Sequence, residues 1–159
     1  PAAAAIGVPD PRMAALMAGV LAGRGISALV FRGHGGLDEL AATGPAHLWW
    51  VADRTVSEHV VDPEADLGLP HVEIEDLRGA DPAANAEVVR RLVAGEGGAV
   101  RDTVLLNAGA ALVADGSLPG TSTGSLVERL RAGVDLAAAA VDDGRAADLL
   151  ERWMQASRA

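Results

Sequence analysis

Residues 28–40, Ala-Leu-Val-Phe-Arg-Gly-His-Gly-Gly-Leu-Asp-Glu-Leu, restrict the fold of this chain more than any other stretch. Ala28 to Phe31 is a short apolar run with branched and aromatic side chains. Gly25 bounds it on one side and Gly33, Gly35 and Gly36 on the other, the pattern of a buried strand. The glycines permit a sharp turn or a close approach of backbone to a ligand. Asp38 and Glu39 follow at once. In an open parallel sheet, ligands collect beyond the carboxyl ends of the strands, so an acidic pair here has two readings. It holds a divalent cation, since Mg2+ is bound by one or two carboxylates with water and phosphate oxygens. Alternatively it is a solvated pair at the start of a helix, where the dipole favours acids.

The flanking segments fit a sheet of this kind. Ala2–Val8 reads as an inner strand. Asp10 and Pro11 then form an N-cap and first helical position. Met13, Leu16, Met17, Val20 and Leu21 recur at helical spacing, are expected to face the core, and end at Gly23 and Gly25. Strand, helix and strand make a βαβ unit. Ala46–Val51 and Thr55–Val61 read as an antiparallel hairpin, with Trp49 and Trp50 on opposite faces, one in the core and one at a contact with a further subunit or domain. Asp81-Pro82 opens a helix that stops at Gly95, and Ser125 caps a later one. Asp102 opens a helix to about Ala114, apolar on most sides and expected to be buried all round, with Asn107 inside it as a hydrogen-bonding bridge between segments. Arg78, in a glycine-bearing turn, either ties loops together or touches a phosphate. The fold class read from this is α/β, a mainly parallel sheet with an antiparallel hairpin and helices on both faces.

Composition narrows the function classes. A chain of 159 residues is one domain's worth, and with 3% aromatic residues its core must be filled by Ala, Val and Leu. A net charge of −9 argues against nucleic acid, which needs a clustered basic face. Cysteine is absent, so no disulfide framework is available. No apolar run approaches the ~18 residues of a membrane span, and a cytoplasmic protein is expected. His47, His59 and His71 lack metal-ligand spacing. The Ser/Thr/Gly-rich loop 116–125 has neither the preceding strand nor the lysine of a P-loop.

An ordered set of motifs carries more than any of its members: Gly-Gly-Leu-Asp-Glu-Leu at 35–40, Thr43-Gly44-Pro45, Leu77-Arg78-Gly79-Ala80-Asp81-Pro82 with Asn85-Ala86, and Arg101-Asp102 with Val104 to Ala108. From about Ile6 to Gly144 the chain resembles the carboxyl-terminal part of the anthranilate phosphoribosyltransferases. It departs at Ala80, where that family usually has glycine, and at Arg32, where histidine is frequent. The resemblance implies a nucleoside phosphorylase/phosphoribosyltransferase-like domain and a metal-binding pair, Asp38 and Glu39, for Mg2+. It further implies phosphoribosyl pyrophosphate and anthranilate as substrates, and a homodimer when intact. It also implies that an amino-terminal helical domain and the first part of the α/β domain precede Pro1, with the glycine-rich substrate loop, so that residues 1–159 alone are expected to be inactive. The rival expectations are a nucleoside phosphorylase of related fold and a non-catalytic binding or assembly domain on the same scaffold.

Overall fold

The computed structural model describes residues 2–158. Strands β1 (Ala3–Gly7) and β2 (Ser27–Arg32) run parallel, with Gly7 opposite Phe31. Helix α1 (Pro11–Arg24) joins them. The Asp10 carboxylate accepts from the Arg12 N–H at 2.9 Å and Pro11 occupies the first turn, which fixes the start. Gly23 continues the helix, and Gly25, in the left-handed region at φ 70°, ends it. The expected βαβ unit is present.

Strands β3 (Ala46–Ala52) and β4 (Thr55–Val61) form the expected hairpin. Asp53 and Arg54 turn it with φ of 49° and 62°, the doubly positive pattern of a tight two-residue hairpin. Strand β3 also pairs antiparallel with β2, Phe31 opposite Leu48, so the sheet order is β1-β2-β3-β4. The α/β class holds. One of the three strand pairings is parallel and two are antiparallel, so the antiparallel part reaches beyond the hairpin.

Alternation along the strands divides the core. Ala28, Val30, Trp49 and Val51 pack with Ala14, Ala18 and Ala22 of α1. Leu29, Phe31, Ala46 and Leu48 pack on the other face with Leu106, Ala110, Val113 and Leu130. The latter belong to α4 (Ala99–Asp115) and α5 (Leu126–Asp142), so helices do cover both faces. Trp49 and Trp50 point to opposite faces as expected. Trp49 is in the core, while Trp50 lies under Arg129 of its own chain, whose guanidinium carbon is 4.4 Å from the ring centroid.

Two expectations about helix faces are corrected. In α1 the buried face is the alanine row with Met17 and Leu21 packed partly buried beside it as expected, whereas Met13, Leu16 and Val20 are exposed, Leu16 at 66%. Trp49 already fills the space on the sheet, so small side chains let the helix come close. Helix α4 begins at Ala99 rather than Asp102 and is not buried all round: Val104 and Ala111 are exposed. One side lies on the sheet, and α5 covers another. Helices α4 and α5 approach closely at Gly109 and Gly133, where a Cβ on Gly133 would stand 2.7 Å from the Gly109 carbonyl oxygen. Short helix α2 (Pro63–Leu67), α3 (Pro82–Val93, capped by Asp81) and α6 (Arg145–Ala156) complete the fold.

Candidate functional site

The acidic pair sits just beyond the carboxyl ends of β1 and β2. After Arg32 the chain makes a single tight turn at His34–Gly36, closed by a bond from the Gly33 N–H to the Leu37 carbonyl at 2.8 Å. Gly35 and Gly36 have φ of 66° and 96°, values that other residues adopt only with strain, so the sharp turn read from the glycines is real. Arg32 steadies the base of the turn by donating to the Pro9 carbonyl at 2.8 Å.

Two further glycines seat the acids themselves. A Cβ on Gly7 would fall 1.5 Å from the Asp38 carbonyl oxygen, and one on Gly33 would fall 2.1 Å from that of Glu39. Both carbonyls therefore rest directly on strand-end backbone, and both side chains remain exposed. No helix begins here: residues 37–45 run without helix into β3. The fold thus removes the reading of the pair as charges at the start of a helix.

Glu39 is pushed above the usual glutamate range, first by loss of water around it and then by the adjacent Asp38 charge. A cation between the two would relieve that repulsion. Among the described residues no group of three or more His, Cys, Asp or Glu side chains converges on a metal position. Two oxygen donors beside open solvent suit Mg2+, which keeps several waters and shares phosphate oxygens, and do not suit zinc, which wants a closed nitrogen or sulfur set. The donor set fits Mg2+.

A cavity of about 390 Å³ opens beside the pair, lined in part by Leu37, Glu39, Ile74, Leu77, Arg78 and Thr103. The Arg78 side chain makes no hydrogen bond or ion pair among the described residues, so of its two readings the tie between loops is not what the structure shows. Its turn is held instead by Asn85, which accepts from the Ala80 N–H at 2.9 Å and donates to the Ala80 carbonyl at 3.1 Å. The Thr103 hydroxyl is buried without a partner among the described residues. Asn107 is the bridge expected from the sequence: it accepts from the Leu40 N–H at 3.0 Å and donates to the Leu40 and Thr103 carbonyls, each at 2.7 Å.

Sequence reasoning did not find Gly7 as a seat for the acidic loop, nor the clamp at Asn85. A glycine ending an apolar strand was the available signal for the first. An Asn shortly after an Asp-Pro helix start was the only signal for the second.

Residues 1–147 match the family described as glycosyl transferase family, a/b domain. The chain belongs to that family. It is 56% identical over 155 residues to the anthranilate phosphoribosyltransferase of Streptomyces griseus subsp. griseus, covering 98% of this chain and 42% of that protein. It is 55% identical over 155 residues to the enzyme of the same name from a Nocardioides species, covering 98% of this chain and 44% of that protein. This member of the family thus spans less than half the length of these curated relatives. Among solved structures, anthranilate phosphoribosyltransferase from Thermus thermophilus superposes with a TM-score of 0.80 at 36% identity, over 96% of this chain and 42% of that one. The Saccharomyces cerevisiae enzyme, solved in complex with PRPP and Mg, shares the fold with a TM-score of 0.77 at 20% identity, over 92% of this chain and 40% of that one.

Proposed function

We propose that this chain is the metal-bearing part of an anthranilate phosphoribosyltransferase. The reaction is transfer of the phosphoribosyl group from phosphoribosyl pyrophosphate to anthranilate, giving phosphoribosyl-anthranilate and pyrophosphate in tryptophan biosynthesis. The observation that carries the reading is the acidic pair seated on Gly7 and Gly33 at the carboxyl ends of a parallel strand pair, in a chain 56% identical to a relative of that name. Asp38 and Glu39 would hold Mg2+, which when bound serves as Lewis acid and template for the departing pyrophosphate. The chain's own contribution is orientation: the glycine seats fix the two carbonyls, and with them the direction in which both carboxylates reach. The same reading makes the intact protein a cytoplasmic homodimer and leaves residues 1–159 alone without turnover.

The test is a graft. This chain replaces the matching segment of the Streptomyces griseus relative, and anthranilate fluorescence is followed with phosphoribosyl pyrophosphate and Mg2+. Turnover by the graft, lost in Asp38→Asn/Glu39→Gln, is expected. A folded graft without turnover, or one indifferent to the double substitution, overturns the reading.

A further inference from the structure

The acidic loop is fixed more firmly than the glycine seats alone require. The N–H of Leu40 belongs to the peptide unit that begins with the Glu39 carbonyl. Asn107 takes that N–H at 3.0 Å, while the carbonyl end of the same unit rests on Gly33. The preceding unit has its Asp38 carbonyl on Gly7. The Cα of Glu39 is therefore held between two immobilised peptide planes. Beyond it, the Leu40 carbonyl accepts from Asn107 at 2.7 Å and the Leu40 side chain is buried in the core with Leu29, Phe31 and Leu48.

We infer that Asn107 is a positioning residue for the divalent cation, setting where the Glu39 carboxylate stands; this rests on the reading of Asp38 and Glu39 as metal ligands. The carboxamide is fully used. Its one oxygen faces an N–H, and its nitrogen faces the carbonyls of Leu40 and Thr103, each at 2.7 Å, so only one orientation satisfies all partners. Asp would turn an oxygen toward two carbonyl oxygens, and Ser would not span the gap. Its neighbours Leu106 and Ala110 on α4 are buried against the sheet, so the clamp stands on a rigid element. Groups that orient a ligand without touching the metal commonly matter ~10–100-fold in metal affinity. Asn85 offers an internal comparison, since it makes the same pair of bonds to Ala80 in the other loop.

The experiment uses residues 1–159 and Mn2+, read by paramagnetic broadening of the Asp38 and Glu39 amides. Wild type should bind saturably, and Asp38→Asn/Glu39→Gln should not. Asn107→Ser and Asn107→Asp should weaken binding by ~10-fold or more, while Asn85→Ser leaves it unchanged. A second measurement needs no variant: if clamp and cation are coupled, the coupling is reciprocal, and Mg2+ should slow hydrogen exchange at the Leu40 amide of wild type. Wild-type affinity in both Asn107 variants, an equal loss in Asn85→Ser, or Leu40 exchange indifferent to Mg2+ overturns the positioning role. Equal Mn2+ binding by wild type and the double acid variant instead overturns the metal site, and the positioning role with it.

Discussion

The carbonyl oxygen of Asp38 occupies the place where Gly7 would carry a side chain: a Cβ there would meet it at 1.5 Å. Nothing at that distance can be accommodated without moving the loop. Gly7→Ala should therefore destabilise by ~1–3 kcal/mol, the usual cost of overpacking, and displace the acidic pair. Chemical denaturation measures the first effect, and amide shifts at Asp38 and Glu39 measure the second. Unchanged shifts would mean that the strand end, not the loop, gives way.

Replacing both acids separates a metal site from a structural charge pair. In the grafted enzyme, Asp38→Asn/Glu39→Gln should lower turnover at least ~10-fold, or ~1.4 kcal/mol of transition-state stabilisation. Part of that loss should return at high Mg2+, because a weakened site still fills by mass action. Without metal the melting temperature should not fall. Glu39 is pushed upward by dehydration and by Asp38, so removing the charges relieves a cost. A lowered melting point with an unchanged Mg2+ curve would count against the site.

The start of α5 should give a defined acid sensitivity. Glu128 accepts from the Ser125 N–H at 2.7 Å and from its hydroxyl at 2.9 Å, and these bonds hold its carboxyl below the usual glutamate range. A depressed folded-state value means stability that is present above the unfolded value and lost as pH falls through the folded one. Melting of wild type against Glu128→Gln should therefore differ at neutral pH and converge in acid. Parallel curves throughout would remove the carboxylate from the cap.

The contact of α4 with α5 should be intolerant of a single methyl. A Cβ on Gly133 would stand 2.7 Å from the Gly109 carbonyl oxygen, with backbone on both sides. Gly133→Ala improves intrinsic helix propensity by ~1 kcal/mol, yet it should lower stability by ~1–3 kcal/mol. Urea denaturation showing a gain would mean that the helices separate freely.

The turn at Arg78 should depend on Asn85 and not on the arginine. Arg78→Gln should stay within ~0.5 kcal/mol of wild type, as for an exposed side chain with no partner. Asn85→Ala removes two bonds to Ala80 and should cost ~1 kcal/mol or more. The reverse order in thermal melts would restore the arginine as the tie between loops.

Local chemistry was enough to read the βαβ unit, the hairpin, the caps at Asp10, Asp81 and Ser125, the sharp glycine turn before the acids, and Asn107 as a bridge. Each follows from groups close in sequence, or from a polar side chain that must be satisfied wherever it is buried. Which helix faces are buried was decided elsewhere. The alanines of α1 face the sheet because Trp49, far along the chain, fills the space that larger side chains would need. The acids are not at a helix start because residues 37–45 run without helix into a strand that pairs antiparallel with β2. Gly7 acquires its purpose only when a loop some thirty residues later is laid across it, with |i−j| of 31 between Gly7 and Asp38. Periodicity records one element's own environment; the contact between two distant backbones has no signature in either segment until tertiary packing brings them together.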